Sequence, residues 1–277
     1  MRPGTPRLSG DGLTLAYDKR TIVERLTVAV PDRSFTVVIG PNACGKSTLL
    51  RALARMLKPT AGTVLLDGRD IHAQPARRVA RTLGLLPQTS IAPDGITVAE
   101  LVARGRYPHQ GLLRQWSRDD ERIVGESMAA TGVADLADRL VDELSGGQRQ
   151  RVWIAMALAQ QTELLLLDEP TTFLDIAHQI EVLDLCATLH EEQGRTLVAV
   201  LHDLNQAARY ASHLIAMRDG QVVAAGPPRE IVTADLVERV FGLPCRVIDD
   251  PETGSPLVVP AARRVPTASA PSPIIDA

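Results

Sequence analysis

The sequence of 277 residues has few cysteines, no long apolar run and no excess of basic charge. Its three cysteines, Cys44, Cys186 and Cys245, are too scattered for a zinc knuckle and odd in number. This pattern disfavours a structural disulfide and fits a reducing compartment. The longest purely apolar runs, such as 154–159 and 164–167, fall far below the ~18 residues that a membrane-spanning helix needs. We therefore do not expect the chain to cross a bilayer by itself.

Two further absences narrow the function. Lys and Arg total 30 against 33 Asp and Glu, a formal net charge of −3, so the chain has no global basic field for holding nucleic acid. A nucleic-acid partner is therefore disfavoured. The first ten residues also lack the apolar core of a secretory signal, so export is not indicated and a cytosolic location is expected.

The two ends of the chain differ in composition from its interior. Residues 1–10 carry prolines and glycines without hydrophobic periodicity, and 261–277 is rich in Pro, Ala and Ser. Such segments are typical of a flexible leader and a flexible tail. The folded unit is expected to span 11–260, with no internal repeat and no sustained heptads.

Within that unit, short apolar runs alternate with helical segments, which predicts an α/β fold with a mainly parallel sheet covered by helices. Two antiparallel strands are expected at 12–17 and 22–30. Further strands are expected at 35–39, 83–86, 163–167, 196–201, 213–217 and 257–259. Helical spacing at 98–104, 119–131 and 147–160 predicts a helical insertion over about 90–160.

A glycine-bearing loop follows the strand at 35–39. Its residues satisfy the pattern G-x-x-x-x-G-K-[ST] between a strand and a helix, the context of a phosphate-binding loop. In such a loop, backbone N–H groups and the helix start meet phosphate oxygens, Lys46 adds charge at the β and γ phosphates, and Ser47 would hold Mg²⁺. The alternative is a strand-to-helix turn with a chance lysine. The predicted nucleotide-binding residues are Gly40, Pro41, Asn42, Ala43, Cys44, Gly45, Lys46, Ser47 and Thr48.

Two adjacent carboxylates, Asp168 and Glu169, end the apolar run at 164–167. Asp168, at the carboxyl end of a buried strand, is placed to reach the Mg²⁺ shell. Glu169 can polarise a water molecule for in-line attack on the γ-phosphate of ATP. A strand that ends in Asp-Glu is on its own usually only the start of a polar loop, and the phosphate loop is what favours the functional interpretation.

The string LSGGQ at 144–148 precedes the helical segment at 147–160. Ser-Gly-Gly alone is often only a helix N-cap. Together with the two motifs above, the string resembles the signature of the ATP-binding cassette (ABC) ATPases, and the resemblance covers essentially the whole folded unit. It implies a P-loop NTPase (RecA-like) core with an antiparallel β subdomain and a helical insertion subdomain. It also implies that the signature of one subunit completes the ATP site of its twin, through Ser145, Gly146, Gly147 and Gln148.

The same resemblance assigns roles to single residues. Gln88 matches the glutamine loop that senses Mg²⁺ and the attacking water, and His202 matches the switch histidine at the γ-phosphate. Tyr17 fits the aromatic residue on which adenine stacks, and Asp175 matches a loop that crosses the dimer interface. Simpler explanations are a solvated glutamine, a strand-end histidine, a strand tyrosine and a helix cap. The predicted catalytic set is Glu169, His202, Gln88 and Lys46, and the predicted Mg²⁺ ligands are Ser47, Gln88 and Asp168.

One copy of each motif implies a homodimer. The segments 97–109 and 171–179 resemble importer ATPases for ferric siderophores, and they also suit haem and cobalamin importers. This resemblance implies separate membrane permease subunits docking near Arg104, Arg106, Tyr107 and His109. It also implies an extracytoplasmic substrate-binding protein acting indirectly, and a peripheral location on the cytoplasmic face of the cell membrane.

Two other classes remain open at this point. One is a soluble ABC ATPase of iron–sulfur assembly, and the other is a nucleotide-gated regulatory binder that does not hydrolyse ATP. Neither explains the resemblance at 97–109. The sequence therefore favours the ATPase subunit of an importer, most simply one for iron chelates.

Overall fold

The structure is a computed structural model that describes residues 6–18, 20–88, 91–111 and 116–262. Its strands are β1 (Leu8–Tyr17), β2 (Arg20–Val30), β3 (Phe35–Ile39), β4 (Ala61–Leu66), β5 (Arg69–Asp70), β6 (Leu83–Leu86), β7 (Leu164–Asp168), β8 (Thr196–Val200), β9 (His213–Arg218), β10 (Gln221–Gly226), β11 (Cys245–Asp249) and β12 (Pro256–Pro260). Its α-helices are α1 (Lys46–Leu53), α2 (Ala76–Thr82), α3 (Val98–Ala103), α4 (Arg118–Ala130), α5 (Gly146–Ala159), α6 (Ile176–Glu191), α7 (Leu204–Tyr210), α8 (Pro228–Ile231) and α9 (Ala234–Phe241). The predicted α/β fold is confirmed.

A six-stranded sheet in the order β10-β9-β3-β8-β7-β6 forms the centre of the protein. All its pairs are parallel except β9 with β10. Every residue of β3, β7 and β8 is buried, because helices cover both faces of the sheet. The carboxyl ends of parallel strands lie at one edge, so the loops that follow β3, β6, β7 and β8 meet there.

A smaller antiparallel sheet, β2-β1-β4-β5, packs beside this core. Strand β1 begins at Leu8, which is fully buried, so the expected leader at 1–10 is too long by three residues. Residues 1–5 lie outside the described part of the chain, as do residues 263–277 of the expected tail. The strands expected at 12–17 and 22–30 are longer than predicted, because irregular pairing in β1 interrupts the alternation that the sequence analysis relied on.

Helices α3, α4 and α5 follow β6 and precede β7, where a helical insertion was expected. A buried ion pair joins the start of this unit to its middle: Arg106 Nε donates to Asp120 Oδ1 at 2.8 Å, and Arg106 Nη1 donates to Ala159 O at 2.7 Å. Arg106 is 2% exposed and Asp120 is 1% exposed. Within the described residues, no helix is long and apolar enough to span a membrane.

The last hairpin, β11–β12, forms its own two-stranded sheet and packs on α7. The side-chain amide of Asn205 holds β12 with two hydrogen bonds: it donates to Val258 O at 3.2 Å and accepts from Val258 N at 2.7 Å. Val258 is 6% exposed and belongs to the main hydrophobic core. The hairpin is therefore part of the folded domain.

Replacing Asn205 by Ala should lower the free energy of unfolding by about 1–3 kcal/mol, because a buried backbone N–H and C=O then lose their partners. Urea denaturation measures the change. Asn205→Asp keeps the oxygen that accepts from Val258 N–H and should cost less than the alanine variant. An alanine variant as stable as the unaltered protein would show that the amide does not hold the hairpin.

Candidate active site

The loops at the carboxyl ends of four parallel strands surround a cavity of about 540 Å³. The loops after β3, β6, β7 and β8 each supply residues to it, and two residues come from β2. The lining residues are Arg20, Ile22, Asn42, Ala43, Gly45, Lys46, Ser47, Thr48, Gln88, Glu169 and His202.

The phosphate loop connects β3 to α1. Gly40 has φ of 152° and a Cβ there would collide with the carbonyl oxygen of Met217, so only glycine fits. Lys46 begins α1, is 5% exposed, and donates from Nζ to Gly40 O at 2.7 Å and to Pro41 O at 2.9 Å. These bonds place its ammonium group inside the curve of the loop.

Ala43 and Cys44 each have an unusual feature, Ala43 in its backbone conformation and Cys44 in its buried thiol. Ala43 has φ of 62°, a left-handed conformation that is strained for a residue with a Cβ. Cys44 is 5% exposed, and burial raises the pKa of its thiol despite the nearby Lys46. The thiol is therefore held in its neutral, less nucleophilic form.

Ser47 and Asp168 form the candidate Mg²⁺ site. Ser47 Oγ donates to Asp168 Oδ1 at 2.8 Å, and Asp168 is 1% exposed. Burial raises the pKa of Asp168, while the hydrogen bond from Ser47 opposes the shift. Burial disfavours the charged form of a carboxylate, and a neighbouring cation stabilises that charged form. Gln88 lines the same cavity and adds an amide oxygen, so the donor set is the all-oxygen type that Mg²⁺ prefers.

Glu169 lies at the centre of the site and accepts hydrogen bonds from two of the predicted residues. His202 Nε2 lies 2.8 Å from Glu169 Oε1, and Gln88 Nε2 donates to Glu169 Oε2 at 2.8 Å. The Glu169 side chain is 10% exposed and its φ is 56°, a conformation that is rare for a non-glycine residue. The loops after β6 and β8 thus hold the candidate general base from both sides.

A third donor to Glu169, Thr172, was not identified from the sequence. Thr172 Oγ1 donates to Glu169 Oε2 at 3.2 Å, and its backbone N–H donates to Glu169 O at 3.2 Å. Pro170 lies between them, so the four residues from Glu169 to Thr172 form a tight turn. The sequence signal for this role was a polar residue two places after Pro170. Turns with that pattern also occur in proteins where the polar residue has a different role.

The signature string lies outside this cavity. Ser145 caps α5, since Gln148 N donates to Ser145 Oγ at 3.2 Å and Ser145 N donates to Gln148 Oε1 at 3.1 Å. Neither these residues nor the glycines between them line the cavity. Beside Gly146 lies Phe173, which is 80% exposed. The exposed start of α5 is thus free to meet another molecule.

Two other predicted residues take local roles in the structure. Asp175 caps α6, accepting from His178 N at 3.0 Å. Tyr17 is 40% exposed, and its OH accepts a hydrogen bond from Arg51 Nη1 at 3.2 Å. Tyr17 does not line the cavity, whereas Arg20 and Ile22 of the next strand do. Those two residues were missed because nothing in their local sequence marks a binding role.

The chain is similar to proteins of one family. A family model described as "ABC transporter" matches residues 23–172. The ferric enterobactin transport ATP-binding protein of Escherichia coli (strain K12) is 59% identical over 267 residues, which cover 96% of this chain and 98% of that protein. The achromobactin transport ATP-binding protein of Dickeya dadantii (strain 3937) is 54% identical over 254 residues, covering 92% and 94%. A cobalamin import ATP-binding protein of Halobacterium salinarum is 41% identical over 258 residues, covering 93% and 64%.

Solved structures show the same architecture. An inward-facing ABC transporter described as of the metal-chelate type has a TM-score of 0.77 and 29% identity, covering 92% of this chain and 97% of that chain. A dimeric ATP-binding cassette in a post-hydrolysis state with ADP and phosphate bound has a TM-score of 0.72 and 27% identity, covering 79% and 98%. The expected core, antiparallel β subdomain and helical insertion agree with these cassette structures.

Replacing Glu169 by Gln should slow ATP turnover by about 10²–10⁴-fold, the usual scale of general-base effects, while nucleotide binding stays largely intact. Steady-state phosphate release and equilibrium ATP binding measure the two quantities separately. A variant with full activity would remove Glu169 from the chemical step.

Replacing Thr172 by Val should lower kcat by about tenfold with little change in KM, because the hydroxyl contacts the base and not the nucleotide cavity. Thr172→Ser keeps the hydroxyl and should retain most of the activity. Thr171→Val, in the same turn, serves as the matched control for loss of a threonine. Equal activity of the Thr172 valine and serine variants would exclude a role for the hydroxyl.

Proposed function

The chain belongs to the ABC transporter family of ATPases, and on that premise we propose that it powers the import of iron chelates of the ferric siderophore class. The observation that carries the proposal is similarity over more than nine-tenths of both chains to two proteins named for ferric enterobactin transport and for achromobactin transport. The chain is an ABC-type ATPase that converts ATP and water to ADP and phosphate. Lys46, Ser47, Gln88, Glu169 and His202 line its cavity, and Asp168 is hydrogen-bonded to Ser47.

In the proposed reaction, the phosphate loop binds the triphosphate through its backbone N–H groups, the start of α1 and Lys46. Oxygen atoms of Ser47, Asp168 and Gln88 would hold Mg²⁺, which supplies charge neutralisation at the β and γ phosphates when it is bound. Glu169 accepts a proton of the attacking water as the water oxygen bonds to the γ-phosphorus in line. The bond from that phosphorus to the β–γ bridging oxygen breaks, and ADP leaves.

The neighbours of Glu169 keep it in position for that step. Gln88 and His202 donate to its two carboxylate oxygens from opposite sides, and Thr172 donates from within the same turn. Three directed hydrogen bonds leave the carboxylate little freedom to rotate, which favours a single approach geometry for the water. His202 and Gln88 are both exposed and both line the cavity, so either side chain is open to the γ-phosphate.

Cassettes of this family act as dimers together with membrane permease subunits. In the proposed dimer, Ser145, Gly146, Gly147 and Gln148 of one copy meet the γ-phosphate held by the other, where the positive end of α5 favours an anion. Exposure of Ser145 and the absence of these residues from the cavity lining support that arrangement.

A groove of about 470 Å³ in the helical insertion is the proposed permease site. It is lined by Arg104, by Tyr107, which is 58% exposed, and by Trp116, which is 46% exposed. Two of the four residues expected at this contact take other roles. Arg106 is engaged inside the protein by Asp120, and His109 Nε2 lies 2.8 Å from Gln160 O. The expectation for Arg106 was wrong because an arginine in a polar loop gives no sequence signal of burial.

The groove also favours an importer ATPase over the alternative functions. An aromatic groove beside the active-site domain suits a short permease helix, and a soluble ATPase of iron–sulfur assembly has no evident use for it. The relatives named for ferric enterobactin transport and achromobactin transport are more similar to the chain, at 59% and 54% identity, than the relative named for cobalamin import, at 41%. The proposal places the protein on the cytoplasmic face of the membrane, with an extracytoplasmic binding protein acting through the permease.

Replacing Tyr107 by Ala should abolish uptake of a radiolabelled ferric siderophore by cells that depend on this chain, because the groove loses the more exposed of its two aromatic side chains. Basal ATP hydrolysis by the purified chain should persist, since Tyr107 lies outside the nucleotide cavity. Tyr107→Phe should retain uptake, and Met56→Ala, at a residue 71% exposed on another surface, controls for loss of an exposed apolar side chain. Unchanged uptake in the Tyr107→Ala cells would remove the groove from the permease contact.

A further inference from the structure

The turn that begins with Glu169 is held by a side chain from another helix. Gln150 lies in the second turn of α5 and donates from Nε2 to Pro170 O at 3.1 Å, in a partly buried hydrogen bond. Gln150 lines neither the nucleotide cavity nor the groove proposed for the permease. It therefore meets the active site through the turn and not through the cavity.

The direction of the Pro170 carbonyl decides where the rest of the turn goes. The proline ring fixes φ of Pro170 but leaves ψ free, so the peptide group that follows can rotate. The bond from Thr172 N–H to Glu169 O, at 3.2 Å, closes the turn. The bond from Gln150 holds the Pro170 carbonyl in one direction, which fixes the remaining angle.

The shape of the turn in turn places the carboxylate of Glu169. Thr172 Oγ1 donates to Glu169 Oε2 at 3.2 Å, and this contact exists only while the turn keeps its shape. The backbone of Glu169 has φ of 56°. A non-glycine residue keeps such a conformation only where its surroundings hold it. A turn that can relax would therefore move both the backbone and the side chain of the base.

The start of α5 packs closely against the far end of the same turn. A Cβ built on Gly146 would lie 3.7 Å from Phe173 Cβ, and one built on Gly147 would lie 3.4 Å from Leu174 Cδ2. Leu174 is 7% exposed and belongs to the main hydrophobic core. Gln150, one turn further along α5, thus donates from a helix that is itself packed against the segment it holds.

We propose that Gln150 is a positioning residue for the general base, because its hydrogen bond to Pro170 O fixes the turn that carries Glu169 and Thr172. The inference rests on the role of Glu169 in the proposed reaction. A purely structural role, in which Gln150 only adds stability to the contact between α5 and the turn, is the alternative that the experiment has to separate.

Phosphate release by the full-length chain at varied ATP concentration tests the first part. Gln150→Leu removes the donor and should lower kcat about fivefold, since a small displacement of the base slows the chemical step. KM should change less than about twofold, because the nucleotide contacts are kept. Gln150→Glu keeps the size of the side chain but has no N–H donor, so it should be as slow. Gln193→Leu and Gln193→Glu, at an exposed glutamine beyond the end of α6, are the matched controls.

Unchanged kcat in both Gln150 variants overturns the proposal. Equilibrium binding of ATP with the affinity of the unaltered chain shows that a variant is folded. If Gln150→Leu fails that check, Gln150→Glu carries the test.

A double-mutant cycle separates positioning from a structural role. In a chain that already carries Glu169→Gln, adding Gln150→Leu should slow the residual turnover less than about twofold, because the base through which Gln150 acts is gone. A structural role predicts the same fivefold loss in that background, and this result overturns the proposal. Full activity of Glu169→Gln alone would instead reject Glu169 as the base, so the two failures are distinguishable.

Discussion

The register between parallel strands is the constraint on which the active site depends. Leu86 of β6 pairs with Leu167 of β7, and Asp168 of β7 pairs with Val200 of β8. Gln88 and Glu169 each lie two residues beyond the first pair, so the register brings their side chains together. His202 lies two residues beyond Val200 and approaches from the other side. A shift of one residue in either pairing would move these contacts apart.

The same argument explains how much of the site could be predicted. Lys46, Ser47 and Asp168 belong to local strings whose chemistry is recognisable without a fold, and the structure brings all three together. Thr172, Arg20 and Ile22 were missed because their roles arise from a turn and from a neighbouring sheet. Arg106 was assigned to the surface because its counter-charge, Asp120, lies on another helix, and burial of such a pair leaves no local pattern.

The sequence likewise predicted some of the strands and not others. Buried parallel strands such as β7 and β8 are continuous apolar runs, so their positions were predicted to within a residue or two. Strands β4, β10 and β11 were not predicted, since half of each faces solvent or a neighbouring sheet and their alternation is weak.

The two hydrogen bonds between Asn205 and Val258 have a consequence for folding during synthesis. Helix α7 follows directly after His202, and its partner strand comes from a position 53 residues later in the chain. During synthesis the ribosome releases the sheet and the phosphate loop first, and α7 acquires its last packing surface only when the hairpin emerges. A nascent chain stopped before that point would carry His202 just ahead of an incompletely anchored helix, exposed to chaperones and proteases.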